Sequence, residues 1–469
     1  MTGGTDTRYN PQRSDAMRRK PRLSPFMYPI VFFGLVILAG AAVLYSGYAA
    51  SEPISWLDAM FTATSATCVT GLVVVDTGSF FNGLGQAVIL VLIQLGGLGI
   101  MTLTSLVFIL WTKRVSLLDR VAVGESLRHD KSFNLGKFLK QVVLWTMLIE
   151  LSGAVLIYIQ SPDGFRPFSA LFHAVSAFCN AGFSLNRDSL MGFRSDWGIN
   201  LVFMALIISG GIGFSVLVEL YSHAGRRIIS GGRKKSPRPF SWYATVVLRT
   251  SLALIVIGWA GIYFGEFIGF HRDLPVNDAV LSALFQSVTC RTAGFNSLDI
   301  GQMTNVSLLI MMVLMFVGGA PGSCAGGVKV TTFRTMIAFG LAQIKGREQT
   351  EIGRFAVDQS TLNKALVLTV FGVLILASAT LLLNFTEGAD LPHPQAHGIG
   401  LDILFEVVSA FGTVGLSTGL TPKLSSAGKV VIMLLMFIGR LGPILFLSAI
   451  QSLQKKQYYR KPEESLLIG

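Results

Sequence analysis

Long hydrophobic runs alternate with short polar segments along the chain, and their lengths predict its elements. A helix needs about 20 apolar residues to cross the hydrocarbon core of a bilayer. Runs of that length predict eight membrane spans, near residues 27–48, 84–111, 139–159, 198–221, 243–264, 306–339, 365–384 and 429–450. Four shorter apolar stretches predict half-helices near residues 55–67, 167–178, 276–290 and 400–411. A half-helix cannot span the membrane, so protein or a water-filled cavity must cover its ends.

The four half-helices end in related sequences, which makes the chain an internal repeat. Each sequence starts at a Phe and reaches a glycine followed by Leu or Phe: FTATSATCVTGL from Phe61, FHAVSAFCNAGF from Phe172, FQSVTCRTAGF from Phe285 and FEVVSAFGTVGL from Phe405. A second glycine follows in the next span of each unit, at Gly96, Gly210, Gly318 and Gly439. Single glycines are common packing residues in membrane helices. Four copies in phase instead indicate one pore to which each repeat contributes a loop.

The predicted fold is an all-α integral membrane protein of eight transmembrane helices and four re-entrant pore half-helices. Four repeats of helix, pore half-helix and helix cover residues 26–115, 136–225, 242–342 and 361–452. The other segments are a basic N-terminal segment (1–25), a basic loop (226–241) and a C-terminal tail (453–469). Because each repeat contains two spans, all four share one orientation and can surround a single pseudo-fourfold axis.

Composition and charge support a multi-pass membrane protein. Hydrophobic residues make up 51% of the chain and charged residues 14%, about half the charged share of a soluble protein. The net charge of +12 could suggest a nucleic-acid partner, but 27 of the 38 Lys and Arg residues fall on the side of both predicted termini. This asymmetry predicts that both termini are cytoplasmic, in the cell membrane, and it argues against nucleic acid. Four cysteines cannot form a disulfide framework.

The loop sequences predict a cation pathway. A cation that crosses the bilayer must exchange its water for fixed dipoles, which rings of backbone carbonyls can supply. Glycine allows the chain to turn its carbonyls inward, because it adopts positive φ without steric cost. The half-helix before each loop directs the negative end of its dipole toward the pore.

The motifs resemble those of the Trk/Ktr/HKT superfamily of potassium transporters, most closely the membrane subunits of its Ktr branch. The resemblance covers about residues 25–469. It implies a potassium uptake channel or transporter with a carbonyl selectivity filter, and glycine at all four filter positions implies K⁺. The residues that the resemblance assigns to K⁺ are Val69, Thr70, Gly71, Asn180, Ala181, Gly182, Thr292, Ala293, Gly294, Thr413, Val414 and Gly415.

Small and helix-breaking residues interrupt the sixth predicted span at residues 318–327, which we name the glycine-rich loop. Such a segment cannot remain helical against lipid and must line a cavity. Its glycines leave little to hold it in one conformation, and the resemblance assigns it to a gate below the filter; a static kink is the alternative. The predicted gate residues are Gly318, Gly319, Gly322, Ser323, Gly326, Gly327 and Arg440.

Two arginines lie beside these loops. Arg440 occupies the position that glycine holds in the other three repeats, and a charge in mid-span should face the bundle interior. It can act as a barrier to cations or as a structural residue that binds helix-end carbonyls, and the two roles can coexist. Arg291 lies three residues before Gly294. Because the charge of Arg291 would repel cations in the pore, we expect this side chain behind the filter loop, where it would brace the loop.

Two alternative functions remain open at this point. One is a less selective transporter of monovalent cations (Na⁺ and K⁺), and Na⁺ dependence is also open. The other is a membrane-embedded enzyme, which would need convergent titratable or metal-binding groups. Glu150 and Glu406 are isolated candidates for a proton relay or for pairing with a buried cation, and the six histidines are scattered. We therefore expect no enzyme, no resident cofactor and no metal other than K⁺.

The resemblance also implies partners for the chain. Ktr membrane subunits pair as homodimers on a cytoplasmic ring of RCK-type regulatory subunits, which would hold the nucleotides (ATP/ADP or NAD). No segment of this chain is long enough for a nucleotide-binding domain. Residues 226–238, residues 345–354 and the C-terminal tail are the expected docking surfaces.

Overall fold

The computed structural model describes residues 27–99, 135–229, 240–267, 274–388 and 398–442. Its helices are α1 (Met27–Tyr45), α2 (Trp56–Thr67), α3 (Thr77–Phe80), α4 (Gly83–Gly97), α5 (Leu135–Gln160), α6 (Pro167–Phe178), α7 (Trp197–Gly211), α8 (Phe214–Ile229), α9 (Trp242–Ile262), α10 (Val276–Thr289), α11 (Asn305–Phe316), α12 (Val330–Ile344), α13 (Gln359–Gly388), α14 (Ile399–Gly412) and α15 (Ser426–Leu441). A π-helical turn (Tyr263–Phe267) follows α9, and a short antiparallel hairpin pairs β1 (Glu351–Ile352) with β2 (Phe355–Ala356).

The four predicted half-helices correspond to α2, α6, α10 and α14, with bounds that agree within one residue. Their inner faces are closely packed, because the Phe that opens each motif is fully buried: Phe61, Phe172, Phe285 and Phe405. Aromatic side chains of this size contribute much of the burial energy of a core. The half-helices therefore form the centre of the molecule.

The helix that follows each half-helix begins at a polar capping residue. The side chains of Asn82, Asp196, Thr304 and Ser425 accept hydrogen bonds from backbone N–H groups in the first turns of α4, α7, α11 and α15. Capping satisfies donors that the helix cannot satisfy itself. Each of these four helices thus starts at a defined point after its loop.

Packing between the repeats closes a cycle. The second helix of each repeat contacts the half-helix of the next one: α4 packs on α6, α7 on α10, α11 on α14, and α15 returns to α2. Each half-helix also packs against the first helix of its own repeat. The four loops are consequently directed toward one common centre.

Membrane-spanning helices are fewer than predicted in the part of the chain that the structure describes. Three helices there are long and apolar enough to cross a bilayer, Lys140–Gln160, Trp242–Phe267 and Gln359–Gly388, and a bent pair within 197–221 brings the number to four. Shorter apolar helices include α4 and α11. The predicted ends of the second and eighth spans, at 111 and 450, lie outside the described residues.

Two predicted spans are not continuous helices. The prediction of one helix over 198–221 is wrong, because α7 and α8 meet at an angle of 112°. Gly213, at φ +89°, makes this turn with little strain. The predicted span 306–339 is interrupted between Phe316 and Val330, a gap slightly wider than the glycine-rich loop. Both breaks face each other, as the hydrogen bonds below show.

The structure describes the predicted segment 345–354 but leaves out most of the other segments that were predicted to lie outside the membrane. Residues 345–354 include β1, and the indole Nε1 of Trp242 donates to the carbonyl oxygen of Ile352 at 2.9 Å. Residues 230–239 of the basic loop predicted at 226–241, the N-terminal segment and the C-terminal tail lie outside the described residues. The protein is a mostly helical membrane protein, as predicted.

Candidate functional site

The four motif glycines form a closed ring at the centre of the molecule. A Cβ atom added to Gly71 would lie 3.0 Å from the Cα of Gly182, and one on Gly182 would lie 2.9 Å from the Cα of Gly294. A Cβ added to Gly294 would lie 3.4 Å from the Cα of Gly415, and one added to Gly415 would lie 3.0 Å from the Cα of Gly71. No side chain fits at these positions. We name these four residues the glycine ring.

Each glycine of the ring faces a backbone carbonyl of the next repeat. Gly71 packs against the carbonyl oxygen of Ala181, Gly182 against Ala293, Gly294 against Val414, and Gly415 against Thr70. The residues just before the four glycines are therefore gathered around one axis with their carbonyl oxygens close together. All twelve residues that the resemblance assigned to K⁺ belong to these four loops.

The loops share an unusual backbone conformation. All four ring glycines have positive φ, between +68° and +94°. Two residues earlier, each loop places a non-glycine residue at positive φ as well: Val69, Asn180, Thr292 and Thr413, between +51° and +72°. Positive φ is rare for such residues, above all for β-branched ones, and clusters at functional sites.

A hydroxyl group in each half-helix holds its loop. Ser65 and Ser409 accept hydrogen bonds from the N–H groups of Gly71 and Gly415, both at 3.1 Å. Ser176 donates to the carbonyl of Phe183 at 2.8 Å, and Thr289 donates to that of Phe295 at 2.6 Å. These residues stand four positions after the motif Phe, and we did not single them out from the sequence. Their recurrence in all four motifs was the signal that could have found them.

The second glycine of each repeat lets its helix approach the end of the half-helix. Gly96, Gly210 and Gly439 lie directly against the carbonyl oxygens of Thr67, Phe178 and Phe411, where a side chain would collide. In the third repeat Gly318 instead lies against the carbonyl of Gly326. The third repeat therefore departs from the other three below the ring.

The glycine-rich loop is held by hydrogen bonds to the break between α7 and α8. The N–H of Ala320 donates to Gly211 O at 3.0 Å, and that of Cys324 donates to Gly210 O at 3.1 Å. The N–H of Phe214 donates to Gly322 O at 3.0 Å. Our expectation that little holds this loop is wrong for this conformation, because the breaks of two repeats satisfy each other's free backbone groups.

Arg440 joins the loop to the first repeat. It is nine-tenths buried, and its two terminal nitrogens donate to the carbonyl oxygens of Cys324 and Gly96. The Cys324 thiol also donates to Gly97 O at 3.0 Å. This geometry matches the structural role considered for Arg440, bonded to backbone carbonyls, and it places the guanidinium against the glycine-rich loop.

Arg291 and Glu150 are two further buried charged residues singled out from the sequence. Arg291 donates to Gly318 O, at the start of the glycine-rich loop, at 2.9 Å, and its role as a brace behind the filter loop stays a prediction. Glu150 accepts a hydrogen bond from the side-chain amide of Gln94 at 3.1 Å, with the Cys179 thiol 3.7 Å away. The sequence did not point to Gln94 as the partner of Glu150.

The described residues hold no group of three or more His, Cys, Asp or Glu side chains that could bind a metal ion. All four cysteines are free and buried. The groups that converge at the centre are neutral carbonyl oxygens, hydroxyls and amide N–H groups. Of these groups, the carbonyl and hydroxyl oxygens can replace the hydration shell of a monovalent cation without fixing it by charge.

Comparisons with known proteins identify relatives of this chain. The family model for TrkH, described as a cation transport protein, matches residues 17–457. The Ktr system potassium uptake protein B of Bacillus subtilis is 37% identical over 97% of this chain and 99% of its own length. The potassium/sodium uptake protein NtpJ of Enterococcus hirae is 35% identical over 96% of this chain and 99% of its own length.

A solved structure shows the same fold. The potassium transporter TrkH of Vibrio parahaemolyticus superposes with a TM-score of 0.71 at 20% identity, over 92% of this chain and 86% of that one. These relatives are transport proteins, which removes the enzyme alternative. The chain belongs to the TrkH family of cation transport proteins.

Proposed function

We propose that the chain is the membrane subunit of a potassium uptake system and that K⁺ passes through the glycine ring. The observation that carries this proposal is the closed ring itself, with a carbonyl oxygen of one repeat against each glycine of the previous one. Its neutral oxygens suit a weakly hydrated monovalent cation. The names of the relatives from Bacillus subtilis and Vibrio parahaemolyticus support K⁺ as the ion.

The proposed topology has eight spans in four repeats, with both termini in the cytoplasm. The cyclic packing of α4, α7, α11 and α15 on the half-helices supports four repeats around one axis. The bias of Lys and Arg supports the orientation. The twelve loop residues form the selectivity filter, from Val69, Asn180, Thr292 and Thr413 to the glycine that ends each loop.

The proposed gate is the glycine-rich loop, with Gly318, Gly319, Gly322, Ser323, Gly326 and Gly327, held closed by Arg440. The Cβ that Gly326 lacks would meet the side chain of Thr413, so the loop lies directly beside the ion path. We further propose that the subunit forms a homodimer on a cytoplasmic RCK-type ring that binds ATP/ADP or NAD. No such nucleotide site is proposed in this chain.

A less selective Na⁺/K⁺ pathway is the second candidate. The relative from Enterococcus hirae carries both ions in its name, at an identity only slightly lower than that of the potassium uptake protein. A Na⁺-dependent K⁺ uptake would also fit that name.

Cation flux into liposomes that contain the purified protein distinguishes these functions. K⁺, Rb⁺, Na⁺ and Li⁺ are compared, with and without an RCK-type subunit and nucleotides. We expect K⁺ and Rb⁺ to enter selectively. Equal flux of all four ions would support the less selective pathway. The absence of flux even with the partner and nucleotides would contradict the proposal.

A further inference from the structure

The residue that follows the motif Phe differs in every repeat. It is Thr62 in the first, His173 in the second, Gln286 in the third and Glu406 in the fourth, and all four side chains are buried. They occupy the same position in each half-helix, three residues before the hydroxyl residue that holds the loop. Their hydrogen-bond partners differ between the second and fourth repeats on the one hand and the first and third repeats on the other.

In the fourth repeat, Glu406 holds the segment that leaves the loop. Its carboxylate is fully buried and accepts hydrogen bonds from the hydroxyls of Ser417 and Thr421, the latter at 2.6 Å. The backbone N–H groups of Thr418 and Leu420 also approach it. Because Ser417 lies two residues after Gly415, the carboxylate fixes the chain immediately beyond the ring.

In the second repeat, the imidazole of His173 holds the segment that leaves the loop. Its Nε2 lies 3.0 Å from the hydroxyl of Ser184 and accepts the N–H of Leu185 at 3.3 Å. Its Nδ1 lies 2.7 Å from the carbonyl oxygen of Ser169, which assigns the ring proton to Nδ1. Ser184 stands two residues after Gly182, the same position as Ser417 in the fourth repeat.

The other two repeats lack this contact in the described part of the chain. The hydroxyl of Thr62 donates to Asp58 O, within its own helix, at 2.9 Å. Neither amide atom of Gln286 has a hydrogen-bond partner among the described residues. Since the ring runs through repeats one to four in order, the two braced loops lie diagonally opposite each other.

We propose that Glu406 and His173 are positioning residues that set the cation selectivity of the glycine ring by holding Ser417 and Ser184. This inference rests on the proposed function. Left-handed loop residues are strained, and they keep their geometry only if the chain is held on both sides. The hydroxyls of Ser409 and Ser176 hold these loops at Gly415 and Phe183, and Glu406 and His173 hold the chain two residues after the ring glycine of each loop.

The test is the ratio of K⁺ to Na⁺ flux in liposomes for Glu406→Gln and Ser417→Ala. The glutamine keeps one acceptor oxygen but turns a donor toward a hydroxyl. Ser417→Ala removes the bond and leaves the carboxylate in place, so it separates positioning from the effect of charge. We expect both variants to lower the flux ratio by about threefold to tenfold, because only part of the lost hydrogen-bond energy changes the relative cost of the two ions.

Glu387→Gln is the matched control. Glu387 is also a carboxylate of the fourth repeat that binds a serine, since it accepts the N–H and the hydroxyl of Ser425 at 3.0 and 2.6 Å. It caps α15 away from the ring, so Glu387→Gln should keep the wild-type ratio. A fall of the same size in Glu387→Gln would assign the effect to general destabilisation and overturn the proposal.

The remaining outcomes separate this proposal from the proposed function. Selective wild-type flux with an unchanged ratio in Ser417→Ala overturns the positioning role and leaves the pore intact. This variant decides the matter even if Glu406→Gln does not fold. Ser184→Ala should lower the ratio through the opposite loop, and an unchanged ratio there removes His173 from the proposal. Unselective wild-type flux would overturn both proposals.

Discussion

The loops around the glycine ring have nearly the same structure in all four repeats, whereas the helices that follow them differ from one repeat to another. The four loops repeat positive φ at the same positions, and a hydroxyl at the same motif position holds each of them. The four second helices do not: α7 turns by 112° into α8, and α11 stops before the glycine-rich loop. One face of the molecule is nearly symmetric, and the other is not.

The proposed functions of the two regions, an ion filter and a gate, account for this difference. Carbonyls that replace the hydration shell of one ion must approach it from all sides, so the four loops cannot diverge far from one another. A gate needs a segment with an alternative partner, and only one repeat has to supply it. The breaks in the second and third repeats bond to each other, and Arg440 of the fourth repeat binds both the loop and the first.

The largest effect is expected from Gly71→Ser, which breaks the symmetry of the ring. The new Cβ would lie 3.0 Å from the Cα of Gly182, at a φ of +94°. A change of about 2 kcal/mol in the relative cost of the two ions would alter K⁺/Na⁺ discrimination about thirtyfold. The measurement is the ratio of the two fluxes in liposomes.

Gly47→Ser is the control for that variant. Gly47 also has positive φ, +78°, but a Cβ there meets nothing within 4 Å. It reproduces the backbone strain without the crowding, so it should retain discrimination. Unchanged discrimination in Gly71→Ser would show that the ring does not select the ion.

The second prediction concerns the asymmetric face. Arg440→Gln removes a buried charge and its bonds to Cys324 O and Gly96 O. A net loss of about 1.4 kcal/mol for the closed loop, near the lower end of what one hydrogen bond to a charged group contributes, would let the loop open more often and raise the basal K⁺ flux about tenfold. Ion discrimination should stay near the wild-type value. If flux does not rise in a folded variant, the break is a static kink.

The third prediction sharpens the symmetry of the loops. Ser65→Ala and Ser409→Ala each leave a glycine N–H without its 3.1 Å partner. Each variant should lose about 1 kcal/mol of stability. Both should lower K⁺/Na⁺ discrimination by a similar factor, which is smaller than that of Gly71→Ser. Thermal unfolding and the flux ratio measure the two effects. Opposite outcomes for the two serines would show that the first and fourth repeats are not equivalent.

The smallest effect is expected at the contact that closes the cycle. Lys429 of α15 pairs with Asp58 of α2 at 2.7 Å, with side chains 16% and 22% exposed. A double-mutant cycle of Asp58→Asn and Lys429→Met should give a coupling of about 0.5–1 kcal/mol in thermal stability. Discrimination should not change. A coupling of zero would show that packing alone joins these repeats.

The sequence predicted the symmetric face better than the asymmetric one. The half-helices were located within one residue because a polar segment precedes each one and a glycine-containing loop follows it. Both features can be read from neighbouring residues. Positive φ at the ring glycines followed from their chemistry, whereas positive φ at Val69 and Thr413 did not, since β-branched residues disfavour it.

The errors below the ring have a common cause. Apolar runs such as 198–221 are compatible with a straight span, and only tertiary contacts decide otherwise. The carbonyl oxygens of Gly210 and Gly211 accept hydrogen bonds from the N–H groups of Cys324 and Ala320, more than 100 residues later in the chain. Such pairing carries no local signal, and neither does the contact of Arg440 with Gly96.

The most direct test of the central claim is to locate Rb⁺, which substitutes for K⁺, by anomalous scattering from crystals grown in rubidium chloride. The account predicts a peak on the axis of the glycine ring, among the carbonyl oxygens of Thr70, Ala181, Ala293 and Val414. Ordered Rb⁺ elsewhere in the protein with none at the ring, in a preparation that transports Rb⁺, would contradict it.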